Sequence, residues 1–173
     1  MVVAGADLLY VLATLAVTFA GFAVLLLAIR QTAGAPLSPL DHFLARTVVG
    51  HFFWIAAGAL FPPAIGLFAF ATPWVWKASA LLFGLPMLYV LLTYQRRRIA
   101  ATGKAAPPVI LWLFSGAGSV SAAAMIVYVF ANLPNPEAAY ALAVLINFLA
   151  HAFAVVVALG VILSQQRANE TRN

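Results

Sequence analysis

The amino-acid sequence predicts an all-α polytopic membrane protein: one transmembrane domain over residues 1–173, a bundle of five transmembrane helices with its N-terminus outside and its C-terminus in the cytoplasm. Three observations predict it. Five apolar runs, at residues 8–29, 47–71, 74–94, 109–132 and 138–163, fill nearly all of the chain. Four of these runs follow a proline. Basic residues gather in every second gap between the runs.

Each run reaches the roughly 20 residues that a helix needs to cross the hydrocarbon layer. None shows the period-two alternation of a membrane barrel strand, so the backbone polar groups must be satisfied inside helices. The composition agrees: 65% of residues are hydrophobic and 8% charged, against about 25% charged in a soluble domain. Only lipid covers so much apolar surface.

The first run lacks a basic segment before it, begins its charge at Asp7, and is longer than the 7–15 apolar residues of a signal sequence. It is expected to remain as a span. Ser38-Pro39, Thr72-Pro73, Ala106-Pro107-Pro108 and Asn135-Pro136 introduce the other four. Proline suits a first helical turn, where its missing N–H has no partner to lose. Ser38, Thr72 and Asn135 are placed to cap the turns that follow. Asp41 and Glu137 fall in first turns, where the helix dipole favours an anion.

Eight basic residues (Arg30, Arg46, Arg96, Arg97, Arg98, Lys104, Arg167 and Arg172) fall on one side of the membrane and only Lys77 on the other. The basic side is normally cytoplasmic, which sets the orientation and places the chain in a plasma membrane of the bacterial inner type. Spans two and three, and spans four and five, are joined so closely that each pair reads as an antiparallel hairpin. The gaps at 31–37 and 95–106 read as flexible and polar. Trp74, Trp76 and Tyr140 suit the outer interface, where aromatic side chains gather. Pro62 and Pro63 lie inside span two, where a proline removes a hydrogen bond and kinks the helix. Neighbouring groups must then satisfy the freed carbonyls.

Every span carries a polar or small stripe at helical spacing, expected to face the other helices. The stripes are Asp7, Tyr10, Thr14, Thr18 and Gly21 in span one, then Thr47, His51, Trp54, Gly58 and Pro62 in span two. Span three has Ser79, Pro86, Tyr89 and Thr93, and span four Ser115, Gly118, Ser119 and Ala122. Tyr140, Val144, Asn147, His151, Ala154 and Ala158 complete the set in span five.

An ionisable group inside a membrane is a functional candidate by default, so His51, His151 and the adjacent Asn147 are the intramembrane candidates. Counted from the centres of the apolar runs, His51 sits about 10 Å nearer the cytoplasm than His151, which separates the two rings too far to share an iron. Zinc needs three or four ligands. No cofactor and no metal are expected. At the cytoplasmic boundary, Asp41, His42 and Arg46 with Arg96, Arg97 and Arg98 are candidates for an anionic lipid head group.

Several classes are excluded. With no cysteine there is no disulfide or thiolate chemistry. The +5 net charge sits at helix ends instead of forming a phosphate-tracking surface, so no nucleic-acid partner is expected. Paired carboxylates within the spans, nucleophile elbows, phosphate loops and His-Glu-x-x-His helices are absent. The sequence therefore points to a non-enzymatic membrane protein: a small channel, a transporter component or a regulatory subunit. Its partners would be the lipid bilayer and either further copies in a homo-oligomer or another membrane protein. The alternatives are a proton- or ion-conducting protein centred on the histidines, and an intramembrane enzyme acting on lipid head groups at the cytoplasmic boundary.

Overall fold

The computed structural model describes residues 5–32, 37–68 and 70–170, excluding the side chains of Arg30 and of residues 158–170. It contains six helices: α1 (Ala6–Thr32), α2 (Pro39–Gly66), α3 (Thr72–Leu92), α4 (Tyr94–Thr102), α5 (Pro108–Phe130) and α6 (Pro136–Glu170). No strand occurs among the described residues. All but α4 contain a stretch long and apolar enough to cross a membrane, so the chain is a polytopic bundle of five spans. Helices α2, α3, α5 and α6 close a ring, and α1 lies against α2 and α6.

The starts and stops follow from local chemistry. Helix α2 opens with a reciprocal cap: the Asp41 N–H donates to the Ser38 hydroxyl at 3.2 Å, and the Ser38 N–H donates to the Asp41 carboxylate at 2.8 Å. Two of the orphan N–H groups of a helix start are thereby satisfied. The cap starts α2 at Pro39, eight residues before the apolar run at 47, and the helix ends at Gly66, five before the run does. The other two expected caps are not formed as expected. Thr72 lies inside α3, whose N-cap is Ala71, and Asn135 takes a left-handed conformation with φ of 55°. Its carbonyl, not its side chain, accepts from Ala138 N–H at 3.1 Å.

Between α5 and α6 the chain turns through Asn132, also at φ of 55°. The N–H of Leu133 reaches the carbonyl of Tyr128 and that of Asn132 reaches Val129, the paired bonds of a Schellman stop. The expected flexible gap at 95–106 is instead largely α4. It continues α3 past a one-residue break at Thr93 and stops at left-handed Gly103. The Ala106 N–H donates to the Gln95 side chain and ties the following loop to α4. Four residues of the gap at 31–37 lie outside the described residues, as do Arg172 and the side chains of Arg30, Ala158 and Arg167.

The stripes of spans two, four and five largely face the core: Thr47, His51, Gly58, Pro62, Ser115, Gly118, Ala122, Tyr140, Val144, Asn147 and His151 are buried. That of span one does not. Tyr10, Thr14, Thr18 and Gly21 are exposed, and α1 packs through Leu9, Leu12, Ala13, Ala16, Ala20 and Ala23. The reason is local. Thr14 and Thr18 each donate to the carbonyl four residues earlier, at 2.9 and 2.8 Å, so neither hydroxyl needs a partner on another helix. In α3 only Ser79 of the expected stripe is buried, while Tyr89 is 68% exposed. Trp76 and Tyr140, expected at the outer interface, are core residues; Trp74 is exposed, with the Lys77 ammonium 5.4 Å from its ring centre.

The proline pair sits in the last two turns of α2. Pro62 has no N–H for the carbonyl of Gly58, and the Tyr140 hydroxyl of α6 donates to that carbonyl at 2.6 Å instead. A neighbouring helix thus supplies the bond that proline withdraws.

Candidate functional site

His51 projects from α2 and His151 from α6. Each ring places Nδ1 at 2.6 Å from the carbonyl four residues earlier, Thr47 for His51 and Asn147 for His151. A carbonyl only accepts, so in the neutral imidazole the proton lies on Nδ1 and the lone pair on Nε2. Both Nε2 atoms are buried without a hydrogen-bond partner. The two ring centres are 4.5 Å apart, tilted by 35°. Phe114 completes the cluster, 4.3 Å from the His151 ring and 5.2 Å from that of His51.

The depth separation expected from the apolar runs is therefore wrong. Fifteen residues separate His51 from the end of α2 at Gly66, and fifteen separate His151 from the start of α6 at Pro136. Those two ends lie on the same side of the bundle, so the rings sit level. The error came from the span boundary: the polar turn at 39–46 belongs to the helix and moves its midpoint toward His51. Rings at this contact distance leave no room for a macrocycle between them. Among the described residues no group of three or more His, Asp or Glu side chains could hold a metal.

Asn147 is fully buried and couples α6 to α5. Its side-chain amide donates to the Ser121 hydroxyl and to the Ala143 carbonyl, both at 2.9 Å, and its Oδ1 has no partner. It touches His151 through its backbone carbonyl, not its amide. Gly118 makes this approach possible, since a Cβ there would stand 2.9 Å from Asn147 Oδ1 and 2.7 Å from Leu91.

On the arginine-bearing side of His51 lies a cavity of about 500 Å³ between α2, α3 and α4. Its floor is Thr47, His51 and Met87, all buried. Trp54 walls it and is held by its indole N–H, which donates to the Phe83 carbonyl at 3.2 Å. Arg46 and Arg97 both line it, and none of its described lining residues is acidic.

The three consecutive arginines diverge, as steps of about 100° around a helix require. Arg96 is exposed. Arg97 faces the cavity and donates to the Val90 carbonyl at 2.8 Å, with its Nε buried and unpartnered. Arg98 turns into the bundle, where it is 8% exposed and reaches the Tyr94 hydroxyl at 3.4 Å. The boundary trio on α2 diverges as well. Asp41 is buried in the cap, His42 is exposed, and Arg46 reaches the cavity.

Sequence reasoning passed over Phe114 and Tyr94. Phe114 enters the core from a widened turn at Leu111–Gly116, in which the Ala117 N–H bonds to the carbonyl of Trp112 five residues back. Such turns recur at functional sites but leave no signal in an apolar run. Tyr94 follows the α3–α4 break, its ring centre 4.9 Å from that of Phe114 at a tilt of 46°. No protein-family model, curated protein or solved structure matches the chain.

Proposed function

We propose that this integral membrane protein is a non-catalytic, non-conducting regulatory subunit that works as an oligomer or with a membrane-protein partner. The observation that carries the reading is the closure of the interior above the histidine pair. Trp76, Tyr140 and Phe83 are at most 2% exposed, pack ring against ring, and stand between the arginine-side cavity and a smaller recess of about 270 Å³ at the opposite end. A path for ions or solutes would have to cross these rings. The Asp41 carboxylate accepts from both the N–H and the hydroxyl of Ser38, a structural commitment to the helix cap that speaks against its use as a catalytic base. The polar face of α1 left outside the bundle supports assembly, since polar and small residues serve helix contacts in lipid.

Reconstitution into liposomes tests the reading. No proton or ion flux above that of empty vesicles is expected under an imposed gradient, and robust flux would overturn it. The rival reading, proton conduction through His51 and His151, is favoured by their two unpartnered Nε2 atoms. It requires flux that His151→Ala abolishes while the protein still folds. We also propose the bacterial inner membrane, with the arginine-bearing end in the cytoplasm by the positive-inside rule. Reporters fused at the two termini should then light up in opposite compartments, and signals from one compartment would reject the topology.

A further inference from the structure

We infer that the cavity between α2, α3 and α4 binds a single-chain anionic amphiphile whose phosphate head lies between Arg46 and Arg97 and whose chain runs inward past Met87, Trp54 and Pro86. The geometry supplies each part of that description. Arg46, Gly50, Pro86 and Ala101 form an exposed rim. Ala101 belongs to α4, beyond the apolar span that ends at Leu92, whereas Pro86 and Gly50 lie within spans. The groove therefore runs from the aqueous boundary into the depth of lipid. A wholly polar ligand would leave its inner part against Met87, Trp54 and Pro86, and a wholly apolar one would leave two guanidiniums unanswered. An amphiphile satisfies both ends.

The head must be an anion. Both cationic lining residues stand at the boundary end, no described lining residue is acidic, and the buried Arg97 Nε has no partner. Guanidinium forks suit phosphate oxygens. Deeper in, His51 is 4% exposed and its Nδ1 proton is committed to Thr47. Its Nε2 is buried as well, so the ring offers the ligand no free polar atom and suits an apolar chain. About 500 Å³ lies within the usual range for ligand cavities, roughly 300–1,000 Å³, and is too little for a whole two-chain lipid. The inference stands apart from the question of conduction, because binding is read without a gradient.

The test uses the full chain in a neutral maltoside, with binding followed by thermal shift and native mass spectrometry. The probes are a lauroyl lysophosphatidate, dodecyl phosphate, dodecylphosphocholine and inorganic phosphate. Both anionic amphiphiles should bind. Arg46→Gln, at an exposed position that threatens no packing, should weaken both at least tenfold. Arg97→Gln should do the same. Arg96→Gln removes the same charge outside the cavity and should change affinity less than twofold. Equal losses in the Arg96 and Arg46 variants, or equal binding of the zwitterion, would overturn the site. Inorganic phosphate binding as tightly as the amphiphiles would reveal a free-anion site and overturn the amphiphile.

Discussion

The two halves of the bundle are built on opposite plans. From the α2–α3 turn down to the histidines the space is filled by rings. Tyr140 contacts Trp76 and Phe83, with ring centres 5.7 and 6.0 Å apart, and the Tyr140 hydroxyl pins α6 to the carbonyl that Pro62 leaves open. From the histidines toward the arginine end the packing loosens into a cavity, and polar atoms are left without partners at His51, Arg97 and Arg98. Buried polar groups without partners are costly. Interlocked rings on one side and an open cavity on the other teach that the proline-bearing half supplies rigidity and the arginine-bearing half holds the capacity to bind.

Substitutions can break or sharpen that contrast. The largest effect is expected from Phe83→Ala. The ring is fully buried against Tyr140 and fills the space beside Gly58, and its removal should cost about 3–5 kcal/mol, read as a lower unfolding midpoint in detergent. An unaltered midpoint would show that the ring-filled half is not the rigid one.

Tyr140→Phe comes next. It keeps the ring and deletes only the donor to Gly58, which has no N–H of its own helix to fall back on. A loss of about 1–2 kcal/mol is expected. Steady-state stability equal to that of the parent would mean the kink is held by packing alone.

A pair of glycines in α2 should respond with opposite signs, the smallest change of all falling at Gly50. A Cβ at Gly58 would stand 2.3 Å from the Phe83 ring, whereas one at Gly50 meets nothing within 4 Å. Gly58→Ala should destabilise by about 1–3 kcal/mol through overpacking. Gly50→Ala should stabilise by up to about 1 kcal/mol through helix propensity. Equal responses would erase the difference between the halves.

Much of the architecture was legible because lipid imposes a single rule, that long apolar runs become helices. The five spans, the two hairpins and the Ser38 cap followed from it. What escaped depended on partners that sequence spacing does not identify. Threonine spacing in α1 marked a polar face, but a hydroxyl that bonds its own helix carries no information about which way it looks. Hydropathy placed the start of span two at Thr47, because Asp41, His42 and Arg46 interrupt the apolar count, although the cap at Ser38 had already begun the helix. That one shift hid the contact between His51 and His151. Three neighbouring arginines looked like one basic cluster until helical rotation sent them to three different environments. The widened turn that carries Phe114 inward had no mark at all.

Helix α6 is continuous over 35 residues, about 52 Å at 1.5 Å per residue, while the hydrocarbon layer is only about 30 Å deep. Its apolar run closes at Leu163, so residues 164–170 stand as a mast of about 10 Å beyond it, joined without a break to the segment that bears Asn147 and His151. Any rocking of that segment against α2 is magnified at the mast's tip. A spin label or fluorophore fixed there would convert sub-ångström rearrangement around the imidazoles into a displacement large enough to measure.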